Sequence, residues 1–204
     1  MTEFRSVAVV GTGAIGSAVA RRLLTGGHDV VVWNRTPART AGLVESGAVP
    51  ARTVTEAVAT TELVLLTVTD QEAARQCLDQ LDGGLAGRTV VTMCTGTPEE
   101  ARRSSAEVAR LGGHYLDAGI QAGPDAIGTE AATILYSGDR TAYERHSETL
   151  RLLAHPGSSG PRPTRQPSGT LRVSPRWSGE TTTGRLPPGA GPSIRVRRIR
   201  DSNS

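Results

Sequence analysis

Residues 6–35 read SVAVVGTGAIGSAVARRLLTGGHDVVVWNR, and this stretch decides the fold. The β-branched run Val7–Val10 meets Gly11, Gly13 and Gly16 in G-x-G-x-x-G spacing; a helical stretch, Ala14–Thr25, follows, and a second apolar run ends at Trp33. Together they fill the roughly 30 residues of a βαβ unit, a context that lifts the glycine pattern above chance. Each glycine has a physical task in such a unit. Gly11 permits the tight turn, Gly13 lets the backbone approach a pyrophosphate, and Gly16 allows the helix to pack closely on the strand. The amides that open the helix, reinforced by its dipole, form an anion site. Gly11, Thr12, Gly13, Ala14, Ile15 and Gly16 are therefore expected on the diphosphate of a dinucleotide; the bland alternative is a Gly-rich turn without a ligand.

The residues that end the second strand discriminate between dinucleotides. An Asp or Glu there accepts hydrogen bonds from a ribose 2′-hydroxyl, whereas an Arg accommodates a 2′-phosphate. This chain has Asn34, Arg35 and Thr36. A carboxylate would repel the phosphate, but Asn34 is neutral, Arg35 offers a planar fork of donors and Thr36 adds a hydroxyl. Arg39, one turn on, either closes the pocket or is a solvated charge at a helix start. The expected cofactor is NADP(H).

Beyond this unit, short apolar runs alternate with helical stretches as far as Leu153. Strands are expected at Val7–Val10, Asp29–Trp33, Leu63–Val68, Arg88–Met93, His114–Asp117 and Ala132–Tyr136. Helices are expected at Ala14–Thr25, Pro37–Ser46, Thr53–Thr60, Gln71–Gln80, Pro98–Leu111 and Thr141–Leu153. Runs such as Val-Ala-Val-Val and Leu-Val-Leu-Leu are apolar throughout, as strands covered on both faces are. The reading is an α/β fold of Rossmann type, with a doubly wound, mainly parallel sheet.

Composition separates a second segment. Residues 1–154 hold 14 Arg against 18 Asp and Glu, while residues 155–204 hold 9 Arg against only Glu180 and Asp201. The latter also contain 8 of the chain's 12 prolines and show no apolar periodicity. Few apolar residues and high net charge cannot offset chain entropy, so residues 155–204 are expected to be a disordered basic tail. Its run Arg195-Val196-Arg197-Arg198-Ile199-Arg200 suggests anion or nucleic-acid binding, but a solvated tail is the simpler reading, and no nucleic-acid partner is expected.

All 23 basic side chains are Arg, a usage typical of a GC-rich gene, so Lys-based catalysis is excluded within the chain. Cys77 and Cys94 show no C-x-x-C spacing, and His28, His114, His146 and His155 show no metal-ligand spacing. No metal is expected. No apolar run reaches the roughly 18 residues of a membrane span, and the first residues do not read as a leader. A cytoplasmic protein with reduced thiols is expected.

Three stretches carry a family resemblance: VAVVGTGAIGSAVARRLLTGGHDVVVWNRTPART (residues 7–40), TGTPEEAR (residues 95–102) and YLDAGIQAGPDAIGTEAATILYSG (residues 115–138). They resemble the β-hydroxyacid dehydrogenase superfamily, and within it most of all the imine reductases. The domain they mark is also similar to the N-terminal domains of 3-hydroxyisobutyrate and 6-phosphogluconate dehydrogenases. The resemblance implies hydride transfer from NADPH to the C=N bond of a small-molecule substrate. It implies that Val68, Thr69 and Thr95 approach the nicotinamide half of the cofactor and that Ile120, Gln121 and Pro124 line the substrate side. Each has a second reading from its residues alone: Thr95 and Thr97 as caps of the helix near Pro98, and Ile120 as core. Thr92, Cys94 and Gln121 depart from the family pattern, which often has Asn, Thr and an apolar residue there.

In such relatives a helical C-terminal domain completes the substrate cleft and the dimer. Nothing after Ala154 resembles it, and the tail reads like an off-frame translation. The expectation is a chain with an NADP-binding domain at residues 1–154, no assignable catalytic residue, loss of the usual dimer interface and impaired turnover. Asp117, Tyr115 and Tyr136 are the nearest titratable groups, each in a strand. Two other readings stand beside this one: a non-catalytic NADP-binding module, and a hydroxyacid dehydrogenase relative acting on a C–OH/C=O pair.

Overall fold

The computed structural model describes residues 6–81 and 84–154 and the backbone of Arg172–Val173. Four parallel strands build the centre of the sheet: β1 (Ser6–Val10), β2 (Asp29–Trp33), β4 (Leu63–Leu66) and β5 (Thr89–Thr92). β3 (Val49–Pro50) and β6 (His114–Gln121) extend it in parallel on either side, and β7 (Thr133–Gly138) joins β6 antiparallel. The backbone of β8 (Arg172–Val173) pairs antiparallel with β7, and the order is β3-β2-β1-β4-β5-β6-β7-β8. The rest of the expected disordered tail lies outside the described residues.

Helices α1 (Ala14–Thr25), α2 (Ala41–Val44), α6 (Arg140–Arg145) and α7 (Ser147–Arg151) cover one face. There Val19, Ala20, Leu23, Leu43, Tyr143 and Leu150 pack against Val7, Val9, Leu63 and Leu65. Helices α3 (Val54–Ala59), α4 (Gln71–Leu78) and α5 (Pro98–Arg110) cover the other. Val54, Ala57, Ala74, Leu78 and Val108 pack there against Ala8, Val10, Val64 and Leu66. Because successive side chains of a strand point to opposite faces, a strand sandwiched this way is apolar at every position.

Helix starts follow local chemistry. Asp70 caps α4 by accepting from the Ala73 amide, and Thr97 and Glu100 form a reciprocal capping box on α5 with Pro98 in its first turn. Asp139 caps α6 by accepting from the amides of Thr141 and Ala142.

Four features differ from the sequence reading. β3 has only two residues, too few for a periodic signal, and it lies at the sheet edge where Pro50 is tolerated. β6 runs on to Gln121 because the antiparallel β7 supplies partners for Gly119, Ile120 and Gln121. The last helix divides at His146, whose ring is buried and whose Nε2 lies 3.1 Å from the Thr89 hydroxyl. The Pro37–Ser46 helix likewise opens as a 3-10 turn, Pro37–Thr40, before α2.

β1 lies between β2 and β4, so the chain leaves β1 in one direction and returns on its other side. The crevice for a ligand in such a sheet opens at this switch, beyond the carboxyl ends of the strands.

Candidate dinucleotide site

The turn after β1 is built against β4 and β2. Gly11 has φ +97°, and a Cβ there would come within 2.7 Å of the Thr67 carbonyl oxygen. Thr67 is the floor of the turn: its hydroxyl donates to the Gly11 carbonyl at 2.5 Å, and its amide donates to Val10 at 2.9 Å. A Cβ on Gly16 would overlap the Gly11 carbonyl oxygen and the Thr67 hydroxyl, so α1 packs against its own turn only through glycine. Gly13 is different. A Cβ there meets no atom within 4 Å, and its φ of −68° is open to any residue. Gly13 is also the N-cap of α1, offers no side chain to the helix amides, and is followed by no acidic residue in the first turn. The positive end of α1 is thus uncapped by the chain, as a site for a phosphate requires.

A groove of about 470 Å³ runs from this turn across the end of β2 to α4. It joins Gly11, Gly13, Asn34, Arg35, Thr36, Arg39, Val68 and Thr69, all singled out in the sequence. Among the described residues neither Arg35 nor Arg39 has a carboxylate partner, so two exposed guanidinium groups face one end of the groove. Ala14 and Ile15 open α1, with Ile15 resting partly on the core. Thr12 is turned inward: it is 4% exposed, and its amide donates to Asn34 Oδ1 at 3.0 Å.

The opposite wall has no signal of its own in the sequence. Asp70, Glu72, Ala73, Gln76, Cys77 and Gln80 line it from the start of α4 onward. Ala73, Gln76, Cys77 and Gln80 recur at three- and four-residue spacing, the signature of one helix face, but spacing alone does not say what the face looks toward. Burial pushes the Cys77 thiol up to about 11, against the opposing field of Arg35, so it is a neutral thiol at physiological pH.

The remaining expected residues lie apart from this groove. Thr95 is exposed in the turn between β5 and α5 and is not the cap of α5, a role that Thr97 fills. Ile120 packs partly against the core from β6, while Gln121 and Pro124 are exposed, Pro124 opening a 3-10 turn at Pro124–Ala126. At the ends of β5 and β6 the Thr92 hydroxyl lies 2.6 Å from the Tyr115 hydroxyl and donates to Asp117 at 3.3 Å. Burial raises the Tyr115 phenol above its ordinary range, and burial with Asp117 and Asp70 pushes the Cys94 thiol up to about 11. Tyr136 is buried under α7, where its hydroxyl points to the Leu150 carbonyl, away from the crevice. His28 meets Thr149 and His114 meets Asp139, both in tertiary contacts. Among the described residues no cluster of three His, Cys, Asp or Glu is placed to hold a metal, and no helix is long and apolar enough to cross a membrane.

The chain is similar to an NADPH-dependent reductive aminase of Aspergillus oryzae, at 35% identity over 76% of this chain and 54% of that protein. Among solved structures it is similar to an imine reductase from a Pseudomonas species, with 42% identity, a TM-score of 0.71 and coverage of 74% of this chain and 53% of that one. It is also similar to a reductive aminase of Aspergillus terreus in complex with NADPH4, cyclohexanone and allyl amine, with 37% identity and a TM-score of 0.69, over 74% of this chain and 53% of that one. The chain spans about half the length of these relatives. The model of the NAD binding domain of 6-phosphogluconate dehydrogenase matches residues 6–160, most of the chain, and the chain belongs to that family.

Proposed function

We propose that residues 1–154 form the NADP(H)-binding unit of an oxidoreductase of imine-reductase type, which reduces a C=N bond. The observation that carries this reading is the single groove joining the uncapped start of α1 to Arg35 and Arg39, with neutral Asn34 where an NAD-binding unit has an acid. The glycine turn fits a diphosphate, and Arg35 with Thr36 fits a 2′-phosphate. The reductive aminase relative, whose name specifies NADPH, supports the same choice.

When bound, the cofactor supplies the hydride. The protein's tasks are to hold the diphosphate on the amides of Ala14, Ile15 and Gly16, to grip the ribose end with Arg35, and to leave the crevice open at Thr69 and Thr95. Proton delivery and exclusion of water need a second wall. Asp117 and Tyr115 are engaged with Thr92 rather than presented in the groove. Turnover by the 204-residue chain is therefore expected to be weak or absent, and binding of NADP(H) without turnover is the second reading.

Fluorescence titration tests the binding claim. NADPH is expected to bind more tightly than NADH, and Arg35→Ala to remove the difference by costing NADPH about 10–100-fold, the worth of a charge-assisted phosphate contact. Equal affinities in the unaltered chain overturn the cofactor assignment. Loss of NADPH absorbance with a panel of cyclic imines tests the enzyme claim; rapid turnover overturns the need for a second wall.

A further inference from the structure

We propose that Asn34 is a positioning residue that sets the diphosphate turn through Thr12, rather than a residue that reads the ribose. The proposal rests on the groove being the dinucleotide site. Asn34 stands at the end of β2, where a dinucleotide-binding unit presents a side chain to the ribose, yet both ends of its amide are engaged within the protein. Its Oδ1 accepts from the Thr12 amide at 3.0 Å, and its Nδ2 donates to the Thr36 carbonyl at 3.0 Å. Thr12 is thereby withdrawn from the diphosphate, although it lies between the two glycines of the turn.

The same junction is tied at two other points. The Gly11 amide donates to the Trp33 carbonyl at 2.8 Å, and the Thr12 hydroxyl donates to the Arg39 carbonyl at 3.3 Å. The turn that faces the diphosphate and the segment that carries Arg35 and Arg39 are consequently held in one register. The Asn34 side chain binds both sides of that junction, Thr12 in the turn and Thr36 in the segment beyond β2. Its chemistry suits the post: one carbonyl for an amide hydrogen and one NH₂ for a carbonyl. An aspartate keeps the first bond and loses the second, and an alanine loses both.

Two kinds of role at this position make opposite forecasts. A ribose reader distinguishes NADPH from NADH, whereas a residue acting on the turn affects both, because both carry the same diphosphate. The experiment titrates NADPH and NADH against the 204-residue chain and its Asn34→Ala and Asn34→Asp variants, and measures amide exchange of Thr12 in the free proteins.

Asn34→Ala is expected to weaken NADPH and NADH alike by about tenfold, on the scale of the lost bond to the Thr12 amide, and to speed exchange at Thr12. Asn34→Asp is expected to restore slow exchange and NADH binding to at least the level of the unaltered chain, while NADPH stays weak beside the added charge. The proposal is overturned if Asn34→Ala weakens NADPH only, or if the Thr12 amide exchanges equally slowly in all three proteins. If the unaltered chain binds neither dinucleotide, the groove assignment fails. Exchange at Thr12 still reports separately whether Asn34 holds the turn.

Discussion

Gly13→Ala separates what the fold requires of the glycine turn from what a ligand requires of it. Gly11 and Gly16 are needed by the protein itself: the first sits at φ +97° under the Thr67 carbonyl, and the second has no room for a Cβ. Gly13 has an ordinary backbone conformation and open space where a methyl group would go. Replacing a glycine N-cap by alanine costs up to about 1 kcal/mol, while the smaller conformational entropy of the unfolded chain returns about 0.4–1 kcal/mol. The two effects offset, so the melting temperature should move by no more than about 2 °C. The added methyl group projects toward the site where the diphosphate must approach, and NADPH affinity should fall by more than about tenfold. Gly16→Ala is the contrast. Its Cβ overlaps backbone that cannot rotate away, α1 must retreat from β1, and overpacking of this kind costs about 1–3 kcal/mol or more. Thermal melting followed by circular dichroism, paired with NADPH titration by fluorescence, measures both quantities. The reasoning is refuted if Gly13→Ala is destabilised as much as Gly16→Ala, or if it binds NADPH as tightly as the unaltered chain.

Two further outcomes follow from groups outside the groove. His146 is 2% exposed, and burial, with Arg145 and His114 nearby, pushes its imidazolium down to about 4 from 6.5. The unfolded chain therefore takes up this proton first; the contribution is full above pH 6.5 and declines as pH falls toward 4, and the loss amounts to roughly 2 kcal/mol by pH 5. Urea unfolding at pH 7.5 and pH 5 should show the loss in the unaltered chain and a smaller one in His146→Gln; equal losses would sink the assignment. Asp139 accepts from the Thr141 and Ala142 amides at 2.8 and 3.1 Å and faces His114 Nδ1 at 2.7 Å. Burial raises its carboxyl, but these bonds outweigh it and hold the group below 3.8, so its contribution is present above that pH and lost as acid titrates it. Asp139→Ala should cost about 1–2 kcal/mol at neutral pH through the lost cap of α6, and an unchanged unfolding midpoint would contradict this.

The parts of the molecule legible in the sequence are those in which local chemistry fixes local structure. The expected bounds of α1 and β2, Ala14–Thr25 and Asp29–Trp33, coincide with the observed ones. Strand periodicity, the glycine turn and the Thr97 capping residues all act within a few positions of one another. The pattern of apolar runs reached β6 and β7 as well, but not their direction of pairing. Strand alternation reports which faces are covered and is the same for either direction.

Other features depend on groups that meet only after folding. The division between α6 and α7 centres on a His146–Thr89 bond spanning 57 residues. The wall of the groove from α4 exists because that helix, which starts beyond β4, turns Ala73, Gln76 and Cys77 toward Arg35. The part played by Thr12 was likewise hidden, since Asn34, its partner, lies 22 residues away. By itself, the sequence determined a βαβ dinucleotide unit with an arginine at its ribose end, because glycine geometry and strand–helix periodicity are short-range. Only the tertiary structure decided which amides of that unit remain open to a ligand. A hydrogen bond between distant segments forms or fails according to the register in which the completed sheet holds them.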